Sequence, residues 1–396
     1  VKLEVLDQHL EISQQAFGAI GQDKKDFLWH IPIMIKFMGD TSTINQSVFL
    51  KERTMKIPIP KGVRASFPDA NAVGYYRYQL PESDEIFIKN NIALLKDNEK
   101  LAWLENNVHL TKINRRVYAD ILSVKLALLS DLSLNNKIAS DILKDIDFSY
   151  TDFIPESLSE PYSRYLQKQL DKRMNAVNWQ KMGQDTPSQS ALKASLLSLA
   201  GGRLGDRRAL KFAEENYRDI LSEQSLLDSS VANEALKLVA KTTGEAEYSQ
   251  FESAYLRTNN SRLKSSILSA MGYFPSPKVV TRYYDFLLSK QVPIDDISYR
   301  FQYPAFNPAL RNHALDYIES NKDKILTHIN QQQWFPYNFY TSCEEPIRVR
   351  VNQVFSSWID DVAGLEDKLN TVDRTIKQCI QSRAKNRPQL RVLLAQ

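Results

Sequence analysis

The sequence predicts an α+β protein, in which a small antiparallel β-sandwich is followed by a large all-α superhelical domain of the α-solenoid (HEAT-like) kind. Two observations lead to this fold class. Apolar residues alternate at period two in short runs up to about residue 80, and beyond it they recur at helical spacing. At 396 residues the chain is also too long for one ordinary core. We therefore predict a β-sandwich linker domain at 1–80 and a C-terminal helical domain at 81–396.

Turn residues separate the predicted strands. The alternating runs cover Leu3 to Val5, Leu10 to Ile12, Trp29 to Phe37, Val48 to Leu50 and Met55 to Ile59. Turns are expected at Gly18 to Lys25, Gly39 to Gln46 and Pro58 to Val63. The aromatic run Gly74-Tyr-Tyr-Arg-Tyr78, stopped by Pro81, predicts one further buried strand.

Helix signals dominate the rest of the chain. Ser276-Pro277 and Asn307-Pro308 each read as an N-cap followed by proline at the first helical position. One apolar stripe is formed by Ile347, Val351, Val354, Phe355, Trp358 and Ile359, and a second by Val372, Ile376, Cys379 and Ile380. Short amphipathic helices need neighbours on one face, so stacked antiparallel pairs are expected.

The charge pattern excludes several classes of partner. The 51 basic and 47 acidic residues are interspersed and leave a net charge of +4, which gives no case for nucleic acid or a membrane surface. No apolar run approaches the roughly 20 residues that span a bilayer. The chain begins Val1-Lys-Leu-Glu-Val-Leu6, with neither an initiator Met nor a signal peptide, so we expect a fragment of a longer precursor.

Motifs for catalysis and metal binding are missing from the sequence. The five histidines are never three or four residues apart, so there is no His-Glu-x-x-His motif. No Gly-x-Ser-x-Gly elbow or phosphate loop occurs, and Gly201-Gly-Arg-Leu-Gly205 follows a helix, which indicates a helix-ending turn. We therefore predict no catalytic residue, no metal ligand and no cofactor in this chain.

The two cysteines, Cys343 and Cys379, leave two alternatives open. They are either two unrelated buried thiols or the partners of a single disulfide that closes the C-terminal region. Such a loop would contribute on the order of 3 to 4 kcal/mol in the chain-entropy model. It would also require an oxidising compartment.

Several segments resemble aminopeptidase N-type zinc metallopeptidases, and most closely a secreted bacterial branch. The segment from Asn71 to Arg77 resembles the family's Asn-x-x-Gly-Tyr-Tyr-Arg motif, where a small β domain passes into a large helical domain. The matching segments follow in the family's order: Leu10 to Phe17, Leu28 to Ile33, Asn178-Trp179, Met271 to Pro277, Asn307-Pro308, Tyr340 to Cys343 and Leu369 to Leu394.

The resemblance implies that this chain is the non-catalytic C-terminal part of a zinc aminopeptidase. The zinc ion, its ligands and the general base would lie upstream of Val1, and none of them can be assigned to a residue here. The helical domain would cover that upstream active site, form the substrate chamber and help to bind peptides for removal of the N-terminal residue. The implied partners are the upstream catalytic domain of the same polypeptide and peptide substrates, and the implied location is periplasmic or secreted, with a cytoplasmic location as the alternative.

The resemblance also implies one candidate binding residue. In some relatives, basic and aromatic side chains of the helical domain bind the distal end of the substrate, and one such position matches Arg257. A second basic position of the family is Phe306 here, which puts a shared pocket for the distal carboxylate in doubt. The alternative reading of the whole chain is an independent scaffold, whose β-sandwich carries an α-solenoid that binds a protein or peptide partner.

Overall fold

Antiparallel strand pairing organises the first part of the chain. The structure, a computed structural model, describes residues 1–17, 27–180 and 183–395. Two three-stranded sheets have the strand orders β1-β2-β5 and β4-β3-β6. The strands are β1 (Lys2–Leu6), β2 (His9–Ser13), β3 (Ile31–Met38), β4 (Thr43–Leu50), β5 (Thr54–Pro58) and β6 (Ala65–Phe67).

Sequence periodicity predicted these strands because one face of each is buried. Leu10 and Ile12 of β2, and Ile33, Ile35 and Phe37 of β3, are fully buried, as the period-two pattern requires. β4 begins at Thr43, earlier than predicted. The turn expected at Gly18 to Lys25 lies outside the described residues.

The predicted strand Gly74–Tyr78 is wrong. The backbone of this segment finds side-chain partners instead of a neighbouring strand. The amide of Gly74 donates to Asp69 Oδ1 at 2.8 Å, and the amide and carbonyl of Tyr78 pair with the side chain of Asn106 at 2.9 and 2.8 Å. Tyr75 is fully exposed, so the aromatic run is not a buried strand either. An isolated bridge between Lys2 and Gln79 is the sheet-like pairing that remains there.

Helices follow from residue 82. They are α1 (Glu82–Asn90), α2 (Asp97–Lys112), α3 (Tyr118–Ser130), α4 (Asn136–Phe153), α5 (Glu156–Ala176), α6 (Pro187–Leu196), α7 (Arg207–Leu221), α8 (Ser229–Thr242), α9 (Glu245–Arg257), α10 (Ser261–Met271), α11 (Pro277–Leu287), α12 (Gln302–Ala305), α13 (Arg311–Ser320), α14 (Lys322–His328), α15 (Glu345–Ser356) and α16 (Leu365–Leu394). Short 3-10 or π turns are Ala70–Ala72, Ile92–Leu94, Leu197–Gly201, Ile294–Asp296, Ser298–Phe301, Pro308–Leu310 and Gln332–Phe339.

The N-terminal signals of two helices are confirmed. α11 begins with Pro277 after the N-cap residue Ser276. The side chain of Asn307 accepts a hydrogen bond from the amide of Ala309, which starts a 3-10 turn that leads into α13. The stripe predicted for α15 is buried through Phe355, and Trp358 is buried just beyond the end of the helix.

The chain divides into two compact units, Val1–Lys125 and Leu126–Gln396. In the second unit α7 packs on α8 and α9 on α10, while α6, α8 and α10 contact each other in succession. α11, α13 and α15 form a second succession, and α15 packs on α16. Paired helices in two successive layers are typical of a solenoid. The α+β fold class is confirmed, with small antiparallel sheets followed by a large helical domain.

The division at residues 80 and 81 follows the change from strands to helices, whereas the first compact unit also contains α1 and α2. The predicted domain boundary therefore stays a prediction. Among the described helices, none combines the length and the apolar character that crossing a bilayer requires.

Candidate functional site

A cavity of about 520 Å³ opens in the second unit, where α4, α6, α8, α10 and α12 come to their C-terminal ends. We call it the helix-end cavity. Its aromatic lining residues are Phe148, Tyr273, Tyr303, Phe306 and Tyr340. Its charged lining residues are Lys144, Asp147, Asp152, Arg203, Glu234, Lys237 and Lys241. Because helix C-termini carry partial negative charge, cations are favoured at this position.

An ion pair between Asp147 and Arg203 fixes one wall of the helix-end cavity. The Arg203 guanidinium donates from Nε to Asp147 Oδ1 at 2.8 Å, and the hydroxyl of Ser198 donates to Oδ2 at 2.7 Å. Burial alone would raise the pKa of Asp147, but the charge and hydrogen bonds of Arg203 and the Ser198 hydroxyl outweigh burial and lower it. Asp147 is therefore a satisfied anion that holds Arg203 in place.

Lys241 is a cation of the helix-end cavity, and the carboxylates of Asp147 and Glu234 favour its charged form from beyond ion-pair distance. Its Nζ lies 5.2 Å from the ring centroid of Tyr273, and within the described residues it makes no ion pair. Burial, and then the charge of Arg203, lower the pKa of this ammonium. A Cβ on Gly202 would stand 2.8 Å from Nζ, so glycine at that position leaves room for the amine.

Aromatic rings line another part of the helix-end cavity. Tyr273 stacks on Tyr303 with ring centroids 5.3 Å apart and planes 24° from parallel, and Phe306 lies 6.2 Å from Tyr273. Gly272 permits this close approach, because a Cβ there would meet Tyr303 Cβ at 2.6 Å. The helix-end cavity thus combines a flat apolar surface with an ammonium group that forms no ion pair among the described residues.

Comparison with protein families gives one match that spans most of the chain. The family model described as "ERAP1-like C-terminal domain" matches residues 67–381. The chain belongs to this family. A search of the curated proteins found no match. As an ERAP1-like C-terminal domain, the chain is a C-terminal domain of an aminopeptidase-type protein, which agrees with the resemblance in its sequence.

The donor atoms that the structure describes in this ERAP1-like domain do not fit an aminopeptidase zinc site of two His and one Glu. Within the described part of the chain, one group of potential ligand atoms lies within 4.8 Å, and it consists of Asp152, Cys343 and Cys379. In the structure the two sulfur atoms are joined in a disulfide, with Cα atoms 5.4 Å apart, so neither is a free thiolate.

Arg257 lies apart from the helix-end cavity. It is the last residue of α9 and lines a separate depression with Arg218, Leu221 and Ser222 of α7 and its end. Its guanidinium donates to the carbonyl of Leu221 at 3.4 Å, which helps to close the C-terminus of α7. Phe306, by contrast, does line the helix-end cavity. The structure therefore does not bring these two positions together, and the role of Arg257 stays a prediction.

Sequence reasoning missed Asp147, Arg203 and Lys241. No short motif links them, because each lies near the end of a different helix and they are 38 to 94 residues apart in the sequence. The available signal was a basic residue near the C-terminal end of a predicted helix, at Arg203 and again at Lys241. An aromatic residue, Tyr273, follows the end of a later predicted helix. That signal becomes specific only when the stacking of helix ends is known.

Proposed function

We propose that this chain is the non-catalytic part of a zinc aminopeptidase that covers an upstream active site, contributes to the substrate chamber and binds the distal end of peptides. The observation that carries the proposal is the helix-end cavity, which combines an aromatic wall with an ammonium that forms no ion pair among the described residues, in a domain of an aminopeptidase family. Its volume of about 520 Å³ is in the range that holds a small ligand or a few residues of a peptide.

The chemistry of the cavity fits a peptide C-terminus. A carboxylate that approaches Lys241 would favour its ammonium form further, because Asp147 and Glu234 do not cancel the lowering of its pKa by burial and Arg203. Arg203 would lie beside the same peptide carboxylate while it keeps its ion pair with Asp147. The Tyr273–Tyr303 stack offers an apolar surface for the side chain of the last residue. In the proposed parent enzyme the zinc ion would supply the activated water that attacks the first peptide bond.

Lys241→Met in the parent enzyme tests this role. We expect kcat/KM for a peptide with a free C-terminal carboxylate to fall by about tenfold or more, since a hydrogen bond to a charged group is lost. The same peptide with a C-terminal amide should be affected little, and so should a single-residue aminoacyl anilide that cannot reach the cavity. Steady-state kinetics on the three substrates would measure the difference.

Lys211→Met is the matched control, because Lys211 is an exposed lysine of α7 that pairs with Glu215 on the helix surface. It should leave all three substrates unchanged. An equal loss on the carboxylate and amide peptides after Lys241→Met would contradict the proposed carboxylate contact.

Arg257→Ala tests the separate proposal for Arg257. If this residue binds the distal part of the substrate, kcat/KM for peptides should fall more than that for the aminoacyl anilide. Equal effects on both would instead assign the side chain to the closure of α7 through the carbonyl of Leu221. The same kinetic assay distinguishes the two results.

The encoding reading frame tests the parent enzyme itself. We expect the region upstream of Val1 to encode a catalytic domain with His-Glu-x-x-His and a downstream Glu, in a parent that is exported. A frame with no such neighbour would favour the alternative function, an independent scaffold that binds a protein or peptide partner.

A further inference from the structure

The 3-10 helix Gln332–Phe339 presents two different faces. A 3-10 helix has three residues per turn, so side chains at i and i+3 lie above one another. Phe335, Asn338 and Phe339 are buried, whereas Trp334, Tyr337 and Tyr340 recur at every third residue as a row; this row lines one cavity, which Phe335 and Asn338 also border. Ring centroids in this row are 5.1 Å apart from Trp334 to Tyr337 and 6.4 Å apart from Tyr337 to Tyr340.

The row of rings is one wall of a second cavity, of about 430 Å³, which we call the aromatic groove. Its lining also includes Ile294, Asp295, Ser298, Tyr299 and Gln302. Trp334 and Tyr299 are each 44% exposed, so large aromatic surfaces face the solvent at the groove. Exposed aromatic groups that line one depression are typical of a binding surface rather than of a packed core.

Hydrogen-bond donors accompany these rings. Among the described residues, the indole N–H of Trp334 and the hydroxyls of Tyr337 and Tyr340 make no hydrogen bond to the protein. Tyr299, which also lines the groove, donates only a long hydrogen bond of 3.5 Å to Asp296 Oδ1. The groove therefore offers flat apolar surfaces, each with a donor at its edge, to whatever binds there.

The aromatic row is held in place from behind. Phe335 stacks on Trp358 with ring centroids 5.7 Å apart, and it contacts Phe301 at 5.0 Å. Lys368 of α16 places its Nζ 3.8 Å from the ring centroid of Trp334. A row that is already ordered loses little conformational entropy when a ligand binds.

We propose that the aromatic groove binds a proline-rich segment in the polyproline II conformation. Such a segment has no internal hydrogen bonds, and its prolines have no N–H, so its backbone offers unpaired carbonyl oxygens. The three free donors of the row match an acceptor-only backbone, and proline rings pack on aromatic side chains. A helical ligand would not fit this chemistry, because its carbonyls are already bonded within the helix.

Fluorescence anisotropy of labelled hexaproline, titrated with the full chain, tests this inference. We expect saturable binding that Trp334→Ala weakens by more than about tenfold, since an exposed anchoring ring is lost. Tyr337→Phe keeps the ring and removes the donor, so a loss of about fivefold is expected from one missing hydrogen bond.

Matched controls come from the other compact unit. Trp29→Ala removes an indole that is 40% exposed, and Tyr75→Phe removes the hydroxyl of a fully exposed tyrosine. Neither variant should change binding. The unfolding midpoints of the Trp334→Ala and Tyr337→Phe variants in urea should verify that these groove variants are folded.

Three results would overturn the proposal. They are the absence of saturable binding to the wild-type chain, equal binding by the Trp334→Ala variant, and tighter binding of cellohexaose or of a glycine-serine hexapeptide than of hexaproline. This inference goes beyond the proposed function, and its failure would be distinguishable, because the two tests vary different side chains (Lys241 against Trp334 and Tyr337) and use different ligands, while Tyr340, which lines both cavities, is varied in neither.

Discussion

Glu99→Gln is expected to lower the free energy of unfolding of the first compact unit by about 3 to 5 kcal/mol, the usual cost of breaking a buried ion pair from one side. Glu99 of α2 and Lys36 of β3 are both buried, and the Lys36 ammonium donates to Glu99 Oε2. The same carboxylate accepts from the amides of Lys96 at 2.7 Å and Asn71 at 2.8 Å. The uncharged amide would leave the ammonium of Lys36 buried without a counter-charge.

The double variant Lys36→Met/Glu99→Gln should recover much of that loss, because the unpaired charge is removed as well. Glu4→Gln is the control, since the Lys2–Glu4 pair is exposed and should contribute about 1 kcal/mol or less. Urea denaturation followed by tryptophan fluorescence would measure all three. A cost for Glu99→Gln no greater than that for Glu4→Gln would contradict a role for the buried pair.

The same carboxylate predicts a pH dependence. Burial would raise the pKa of Glu99, but hydrogen bonds from Asn71, Lys36 and Lys96 outweigh burial and hold it below its ordinary value of 4.5. A lowered folded-state pKa contributes stability that is present above about 4.5 and is lost as the pH falls through the folded value. The stability difference between wild type and Glu99→Gln should therefore shrink in acid. A difference that is constant from pH 7 into that range would contradict this assignment.

Other carboxyl groups of the unit act in the opposite direction. Burial raises the pKa of Asp69, Asp84 and Glu85, so each of them opposes folding at neutral pH and does so less once it is protonated. The pH profile of the wild-type chain alone would mix these contributions. The difference between wild type and variant isolates Glu99.

Local signals in the sequence were sufficient for most of the fold. Period-two burial in β2 and β3, and the N-cap and proline before α11, depend on residues next to each other in the chain. The segment Gly74–Tyr78 was mispredicted because its backbone pairs with Asn106, which lies 28 residues beyond Tyr78. No local rule could anticipate a side chain that replaces a neighbouring strand.

The candidate site shows the same limit more strongly. The turn Gly201–Gly205 was predicted to end a helix, and the helix does end there, in a π turn at Leu197–Gly201. The sequence did not indicate that Arg203 in this turn would meet Asp147 of α4 or share a cavity with Tyr273. Those contacts depend on how successive helices stack. The helical repeats of this chain are too irregular for that stacking to be predicted from the spacing of residues in the sequence.

Removing the link between Cys343 and Cys379 is expected to lower the free energy of unfolding of the second unit by about 4 kcal/mol in the chain-entropy model. The two residues are 36 positions apart in sequence, and their Cα atoms lie 5.4 Å apart. We expect thiol titration of the denatured, unreduced chain to find no free thiol. The variant Cys343→Ser/Cys379→Ser, and the wild type after reduction, should show similar losses in urea denaturation.

Residues beside the disulfide also line the helix-end cavity. Arg383 of α16 donates from Nε to the carbonyl of Thr151 at 3.0 Å and from Nη1 to the carbonyl of Cys343 at 3.1 Å, so α16 is fastened to the end of α4 at the same place. Thr151 and Thr341 both line the helix-end cavity. Arg383→Met should therefore lower the free energy of unfolding of the second unit while the disulfide stays intact, which separates the contribution of these hydrogen bonds from that of the covalent link.

Two free thiols in the unreduced chain would contradict the bridge and, with it, the support that it gives to an oxidising compartment.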